Sequence, residues 1–207
     1  MNLTSLFNSR KFNKMKYFIA DTHFGQESIS KFPSRSMHNK NSWDEMIIDK
    51  INKSYSSDST LYILGDFAYK KIDVVKYRQK IRFRNIFLIL GNHDHKKSFN
   101  NKIFGEDRVF DTREIQIKNT PCFLSHYPHL AWPKSHYGAF HLYGHMHDQR
   151  SEYWENIFPD IRSLDVSPES YKRHFGDFGV WSEDQIFDIL SKKAGHDDVS
   201  WYHRNYK

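Results

Sequence analysis

The sequence is poorest in cysteine. One thiol, Cys122, stands among 207 residues. That excludes an intrachain disulfide, and with it a disulfide-stapled secreted scaffold. Set in Pro121-Cys122-Phe123-Leu124, it reads as a small buried apolar residue rather than a reactive thiol. Long hydrophobic runs are missing too: nothing approaches the roughly 20 apolar residues that a membrane helix needs. The first residues carry scattered basic side chains without a continuous apolar segment or a small-residue cleavage site. No secretory leader is read there, and Met15 could serve as an alternative start. A reducing, cytoplasmic setting is expected. Internal repeats, low-complexity tracts and linkers are absent as well.

What is present suits one packed domain. Hydrophobic residues make up 38% and aromatics 16%, which argues against disorder and supplies a core. We expect a single domain over residues 16–194, with tails at 1–15 and 195–207. The formal net charge of +6 favours an anionic substrate or partner, though charge speaks to association rather than fold. Short apolar runs at 17–20, 60–64, 86–90, 122–124, 139–143 and 161–166 read as strands. The run at 86–90 has the character of a strand buried on both faces. More strand is expected within 108–118, where Ile115 and Ile117 alternate. Trp43, Ile47 and Ile51, at i, i+4 and i+8, predict an amphipathic helix, with Ser42 as N-cap and Glu45 at the capping-box spacing. Segments 71–82 and 182–193 read as two further helices, and 21–40 as a long loop. Strands and helices alternate early and short strands cluster later, the pattern of an α/β layered fold with mixed sheets.

Behind the strands lie five short polar segments: Asp21-Thr22-His23, Gly65-Asp66, Gly91-Asn92-His93-Asp94, Ser125-His126 and Gly144-His145-Met146-His147. Any one alone reads as a turn. Together they put Asp, Asn and His where strands end, at the edge on which open α/β sheets bind ligands. Divalent cations acting on phosphate need such hard ligands. Asp21 and His23, one residue apart, would face the same way if the chain stays extended there. The glycine before Asp66 permits a sharp turn, and the Asp66 carboxylate has two oxygens with which to bridge two ions.

The set resembles the calcineurin-like metallophosphoesterases, whose pattern is Asp-x-His, Gly-Asp, Gly-Asn-His-(Asp/Glu), His and Gly-His-x-His. The resemblance runs from Tyr17 to about Asp148. The segments Ser163-Leu164-Asp165-Val166 and Trp181 to Ile186 are similar to the closing strand and helix of small single-domain members. It implies an α/β fold: a mixed β-sandwich flanked by helices in four layers. It also implies a roles assignment. Asp21, His23, Asp66 and His147 would hold one divalent ion, and Asp66, Asn92, His126 and His145 a second, with Asp66 bridging. His93 would face the substrate as general acid or phosphate clamp, and Asp94 would orient His93. The implied activity is hydrolysis of a phosphoester by a water activated between two divalent ions. Manganese is expected before iron, zinc or nickel. The implied substrate is a small-molecule or nucleic-acid phosphoester, a diester before a monoester or phosphoprotein.

Other residues stand near these motifs. Arg35, His38, His95, Lys96 and Lys97 could hold phosphate. His129, His136 and His141 flank the last segments, with His141 reading as a structural hydrogen bonder. Trp132, Tyr137 and Tyr143 could stack a base, although aromatics in such runs are more often core. Two other hydrolase classes fit less well. The His-Asp phosphohydrolases carry their ligands on helices, and the metallo-β-lactamase type needs a His-x-His-x-Asp-His run. A non-catalytic scaffold and a basic nucleic-acid binder remain as alternatives.

Overall fold

The computed structural model of the chain describes residues 14–149 and 151–195. Most of each expected tail, 1–13 and 196–207, lies outside the described residues. Strands β1 (Lys16–Ile19), β2 (Thr60–Leu64), β3 (Asn85–Ile89), β4 (Val109–Phe110) and β9 (Trp181–Ser182) form one sheet in the order β4-β3-β2-β1-β9. Its first four strands run parallel, and β9 pairs antiparallel with β1. Strands β5 (Thr112–Ile117), β6 (Thr120–Ser125), β7 (Phe140–Tyr143) and β8 (Ser163–Asp165) form a second mixed sheet, with β5 and β6 antiparallel and β6, β7 and β8 parallel.

The side-chain period of two divides each strand between two cores. Phe18 of β1, with Tyr62 and Leu64 of β2, meets Leu124, Phe140, Leu142 and Leu164 from the second sheet. The two sheets therefore pack face to face. Ile19, Leu61 and Ile63 point the other way, against Trp43, Ile47, Ile51, Val74 and Tyr77. Those last residues lie on α1 (Lys40–Lys53) and α2 (Lys71–Lys80). Beneath the second sheet, Phe123, Trp132 and Ile161 pack with Trp154 of α4 (Ser151–Ile157). The architecture is the expected mixed α/β sandwich flanked by helices. Cys122 is buried between the sheets, and desolvation pushes its thiol pKa up.

Several local expectations need correction. Helix α1 begins earlier than read. Asn39 is its N-cap, and Ser42 is the reciprocal N3 half of a capping box. In β3, Phe87 is only half-buried, covered by the Arg113 guanidinium 4.3 Å from its ring centroid. The loop 21–40 contains two single-turn 3₁₀ helices, at Ile29–Lys31 and Pro33–Arg35. Three helices carried too little periodicity to be read: α3 (Lys97–Phe104), α4, and α5 (Pro168–Phe175). The last helix, α6 (Glu183–Leu190), has Ser182 as its N-cap. No helix among the described residues is long and apolar enough to cross a membrane.

Candidate metal centre

Parallel strands send their C-terminal ends the same way, and this brings the polar segments together. Past the last paired residues of β1 and β2, the ladder continues into the loops. Asp21 N–H donates to Gly65 O (3.0 Å), His23 N–H to Asp66 O (2.9 Å) and Phe24 N–H to Phe67 O (2.9 Å). The Thr22 hydroxyl donates to Phe67 O, and Trp43 Nε1–H to Thr22 O. Across the second sheet, Gly144 N–H donates to His126 O (2.9 Å). The loops are thus extensions of the sheets. The glycines beside them are demanded by space. A Cβ on Gly91 would lie 2.6 Å from Asp66 N and 2.9 Å from His126 Cε1. A Cβ on Gly144 would lie 2.6 Å from Asp21 Oδ2.

Asp21 and His23 are not extended, so their shared direction does not come from strand alternation. Their φ angles are 52° and 48°, and Asp66 (53°), His145 (69°) and His147 (47°) share this left-handed region. Such conformations cost on the order of 1–3 kcal/mol each outside glycine and concentrate at functional sites. The turned backbone aims the donors inward. His23 Nε2 and His147 Nε2 stand 3.1 Å apart. Asp21 Oδ1 is 3.7 Å from His147 Nε2. Asp66 Oδ2 is 3.5 Å from His23 Nε2 and 3.6 Å from His126 Nε2. Asn92 Oδ1 is 3.0 Å from both His126 Nε2 and His145 Nδ1. Two groups are compact enough to hold one cation each: Asp21, His23 and His147, and Asp21, Asp66 and His126.

The carboxylates are used in halves. Asp21 Oδ2 accepts from His145 N–H (2.9 Å), and Asp66 Oδ1 accepts from His93 N–H (2.8 Å). One oxygen of each remains for the cluster. Asp66 therefore meets both flanking imidazoles through a single oxygen, Oδ2, rather than one oxygen per side. Asp21 belongs to both compact groups, and Asp66 to one of them.

The donor set fits divalent cations. Asp21 Oδ1 is buried and has no hydrogen-bond partner among the described residues. Burial raises the Asp21 pKa well above the ordinary carboxylate range, with Asp165, Asp66 and Glu169 adding to the rise. A cation is what such a cluster of acids lacks. His126 Nδ1–H donates to Leu64 O (2.8 Å), so the neutral ring turns a lone pair at Nε2 toward Asn92 Oδ1. A cation between these two acceptors satisfies both. Burial, then the neighbouring His147 and Arg35, lowers the His23 pKa to about 2, keeping it a neutral lone-pair donor.

His93 is exposed, its ring centroid 5.4 Å from that of His23, at the open edge of the cluster. Asp94 does not bond His93. Its carboxylate accepts from the N–H groups of Asp66 (2.9 Å), Phe67 (3.0 Å) and Gly91 (2.8 Å), tying the two turns together. Burial raises its pKa to about 7 against the pull of those bonds.

The outlying candidates fare differently. Arg35 is fully buried behind the cluster rather than open to phosphate. It pairs with Glu169 through Nε and through Nη2 (2.9 Å), and donates to Asp21 O (2.8 Å). His38 packs edge-on against Trp43 and Phe178, and Lys97 pairs with Asp111 (3.0 Å). His95 packs edge-on against Phe99 and Lys96 is exposed. His141 is the structural residue expected: Nδ1–H donates to Phe123 O (3.2 Å) and Nε2 accepts from His129 N–H (3.2 Å). His136 lies exposed against Tyr137, which is also exposed. Trp132 and Tyr143 are core, not stacking platforms. Sequence reasoning passed over Glu169, whose signal is only a Ser-Pro-Glu helix start, and Tyr127. The exposed Tyr127 ring stands edge-on to His145 (4.8 Å) and His126 (5.0 Å).

No family model matches the chain, and no curated protein does. Among solved structures, a protein of unknown function from Aquifex aeolicus is 25% identical over 86% of this chain and 100% of its own, with a TM-score of 0.66. A phosphoesterase from E. coli is 16% identical over 64% of this chain and 70% of its own, with a TM-score of 0.37. A predicted phosphoesterase from Streptococcus pneumoniae TIGR4 is 15% identical over 65% of this chain and 63% of its own, with a TM-score of 0.28. The last two superpositions are loose and leave function to be read from the site itself.

Proposed function

We propose that the chain is a metal-dependent phosphoester hydrolase with a two-cation centre, acting on diesters before monoesters. The observation that carries this reading is the convergence of Asp21, His23, Asp66, Asn92, His126 and His147 on a shared cluster, donor to donor at 3.0–3.7 Å. Asp21, His23 and His147 would hold one cation. Asn92, His126 and His145 would hold the other, and the free Asp66 Oδ2 would face both. Bound divalent cations supply Lewis acidity to phosphoryl oxygens and bring the pKa of water toward neutrality.

The chain's own residues do the rest. Asp66 pins the His93 backbone, so the exposed imidazole is presented at the cluster edge. There a protonated His93 neutralises charge on the phosphoryl group and gives its proton to the leaving oxygen. Asp94 holds the Gly65-Asp66 and Gly91-Asn92 turns in register. With His93 and Asn92 exposed among the described residues, the site would accept a nucleotide or a nucleic-acid end as well as a small aryl ester. A phosphoprotein substrate and a non-catalytic scaffold are the competing readings.

The test is hydrolysis of an aryl phosphodiester beside the corresponding monoester, after reconstitution with manganese, iron, zinc or nickel. We expect turnover, faster on the diester. His93→Ala should keep its metal content and lose about 10²–10⁴-fold in rate. Full metal loading without cleavage of either ester would leave the scaffold reading; full activity in His93→Ala would remove the acid role.

A further inference from the structure

The cation-facing side of His147 is matched by an unusual rear side. Its outer nitrogen, Nδ1, accepts from Arg35 Nη2–H (3.2 Å), and Glu169 Oε1 stands 3.9 Å away, just beyond hydrogen-bond distance. Arg35 and Glu169 are themselves paired and both buried. The two neighbours select opposite tautomers. Arg35 can only donate, so it favours a lone pair on Nδ1 and a proton on Nε2. Glu169, as carboxylate, can only accept, so it favours the proton on Nδ1 and a lone pair on Nε2. Only the second form can offer Nε2 to a cation beside His23 and Asp21.

We propose that Glu169 is a positioning residue for His147: when a cation takes Nε2 the ring proton must sit on Nδ1, the Arg35 donor gives way there, and the Glu169 carboxylate, held nearby by the Arg35 brace, closes on Nδ1–H as its acceptor. This rests on the metal reading above. The brace is well anchored. The Arg35 guanidinium carbon sits 4.0 Å from the Trp43 ring centroid, and Nη2 also grips the carbonyl of Asp21, a second member of the same cluster. Glu169 stands in the first turn of α5, behind the Ser167 N-cap and Pro168, where a helix start favours an anion. The His147 ring packs against both Phe32 (4.5 Å) and His23 (4.9 Å), which also pack against each other (5.6 Å). A carboxylate behind a ligating imidazole fixes tautomer and orientation and makes the imidazole a better donor; losing one typically costs about 10–100-fold in metal affinity.

The experiment strips the full chain with a chelator and titrates in zinc against a competing chromophoric chelator. Glu169→Gln should weaken one of the two sites about 10–100-fold and leave the other at its original affinity. Should Glu169→Gln fail to fold with Arg35 left unpaired, Arg35→Met/Glu169→Leu removes both buried charges and should show the same selective loss. A third readout needs no change near the pair. Imidazole nitrogen NMR of the zinc-loaded wild type, with His147 assigned by its disappearance in His147→Asn, should show a protonated Nδ1 and a ligated Nε2. Wild-type affinity at both sites in a folded variant, or a protonated Nε2 in the zinc-loaded chain, overturns the proposal. A wild-type chain that binds no zinc, manganese or cobalt overturns the metal reading along with it.

Discussion

Each carboxylate in the cluster keeps one oxygen on a backbone amide and turns the other inward, so side-chain identity matters down to the atom. Asn92 is an exposed member that serves His126 and His145 together. Asn92→Ala should fold normally and lower the bound metal from two equivalents toward one, measured by elemental analysis after dialysis. Unchanged stoichiometry would remove Asn92 from the ligand set. His141 gives a residue-scale prediction away from the metals. Burial, partly offset by its bond to Phe123, lowers its pKa from 6.5 to about 3. The folded state keeps this ring neutral while the unfolded chain takes up a proton below pH 6.5. Its contribution to stability is therefore present above pH 6.5 and is lost as pH falls toward 3. Between pH 7 and pH 5, wild type should lose about 2 kcal/mol more than His141→Gln in urea titrations with chelator present. Parallel pH dependence in the two proteins would show that His141 is not the group involved.

At the scale of elements, the strands were legible and the short helices were not. Apolar runs such as Leu61 to Leu64 or Phe140 to Tyr143 announce themselves because both faces are covered. Helices α3 and α5 have eight residues each, barely two turns, too few for a 3.6-residue period to stand out. Strand β9 has two residues, and only its partner β1 defines it. The turns behind the strands carry the more exacting constraint. Gly91→Ala would drive a methyl group into Asp66, its backbone nitrogen included, and His126, both of them buried. It should lose metal binding and destabilise the chain by about 1–3 kcal/mol, as overpacking does. Chemical denaturation and metal content of that variant check both parts, and a fully loaded, equally stable Gly91→Ala protein would contradict them.

Across the whole molecule, the cluster joins two sheets. Asp21, Asp66 and Asn92 follow β1, β2 and β3 of one, while His126 and His145 follow β6 and β7 of the other. A cation held there ties the sheets at one end and offsets the mutual repulsion of buried acids. Chelator should lower the melting temperature, and a cation at about 100 times its Kd should restore about 2.7 kcal/mol, or about 5–10 °C for a chain of this size. Asp21→Asn, which removes a buried charge, should melt no lower than wild type in chelator yet gain much less from added metal. An Asp21→Asn protein with the full metal-dependent rise would place Asp21 outside the centre.

The amino-acid order alone determined most of the strands, where polar segments interrupt them, and that those segments carry hard oxygen and imidazole donors. Period-two burial and turn chemistry act locally, so they can be read locally. Only the tertiary structure decided which donors share a cation, because that depends on left-handed turns at Asp21, His23 and His147 and on the register between two sheets. It alone moved Arg35 from an imagined phosphate clamp to a buried brace, and brought forward Glu169. Those two residues lie 134 positions apart, and no local pattern could couple them; the folded chain does so by packing the first turn of α5 against the 3₁₀ turn that carries Arg35.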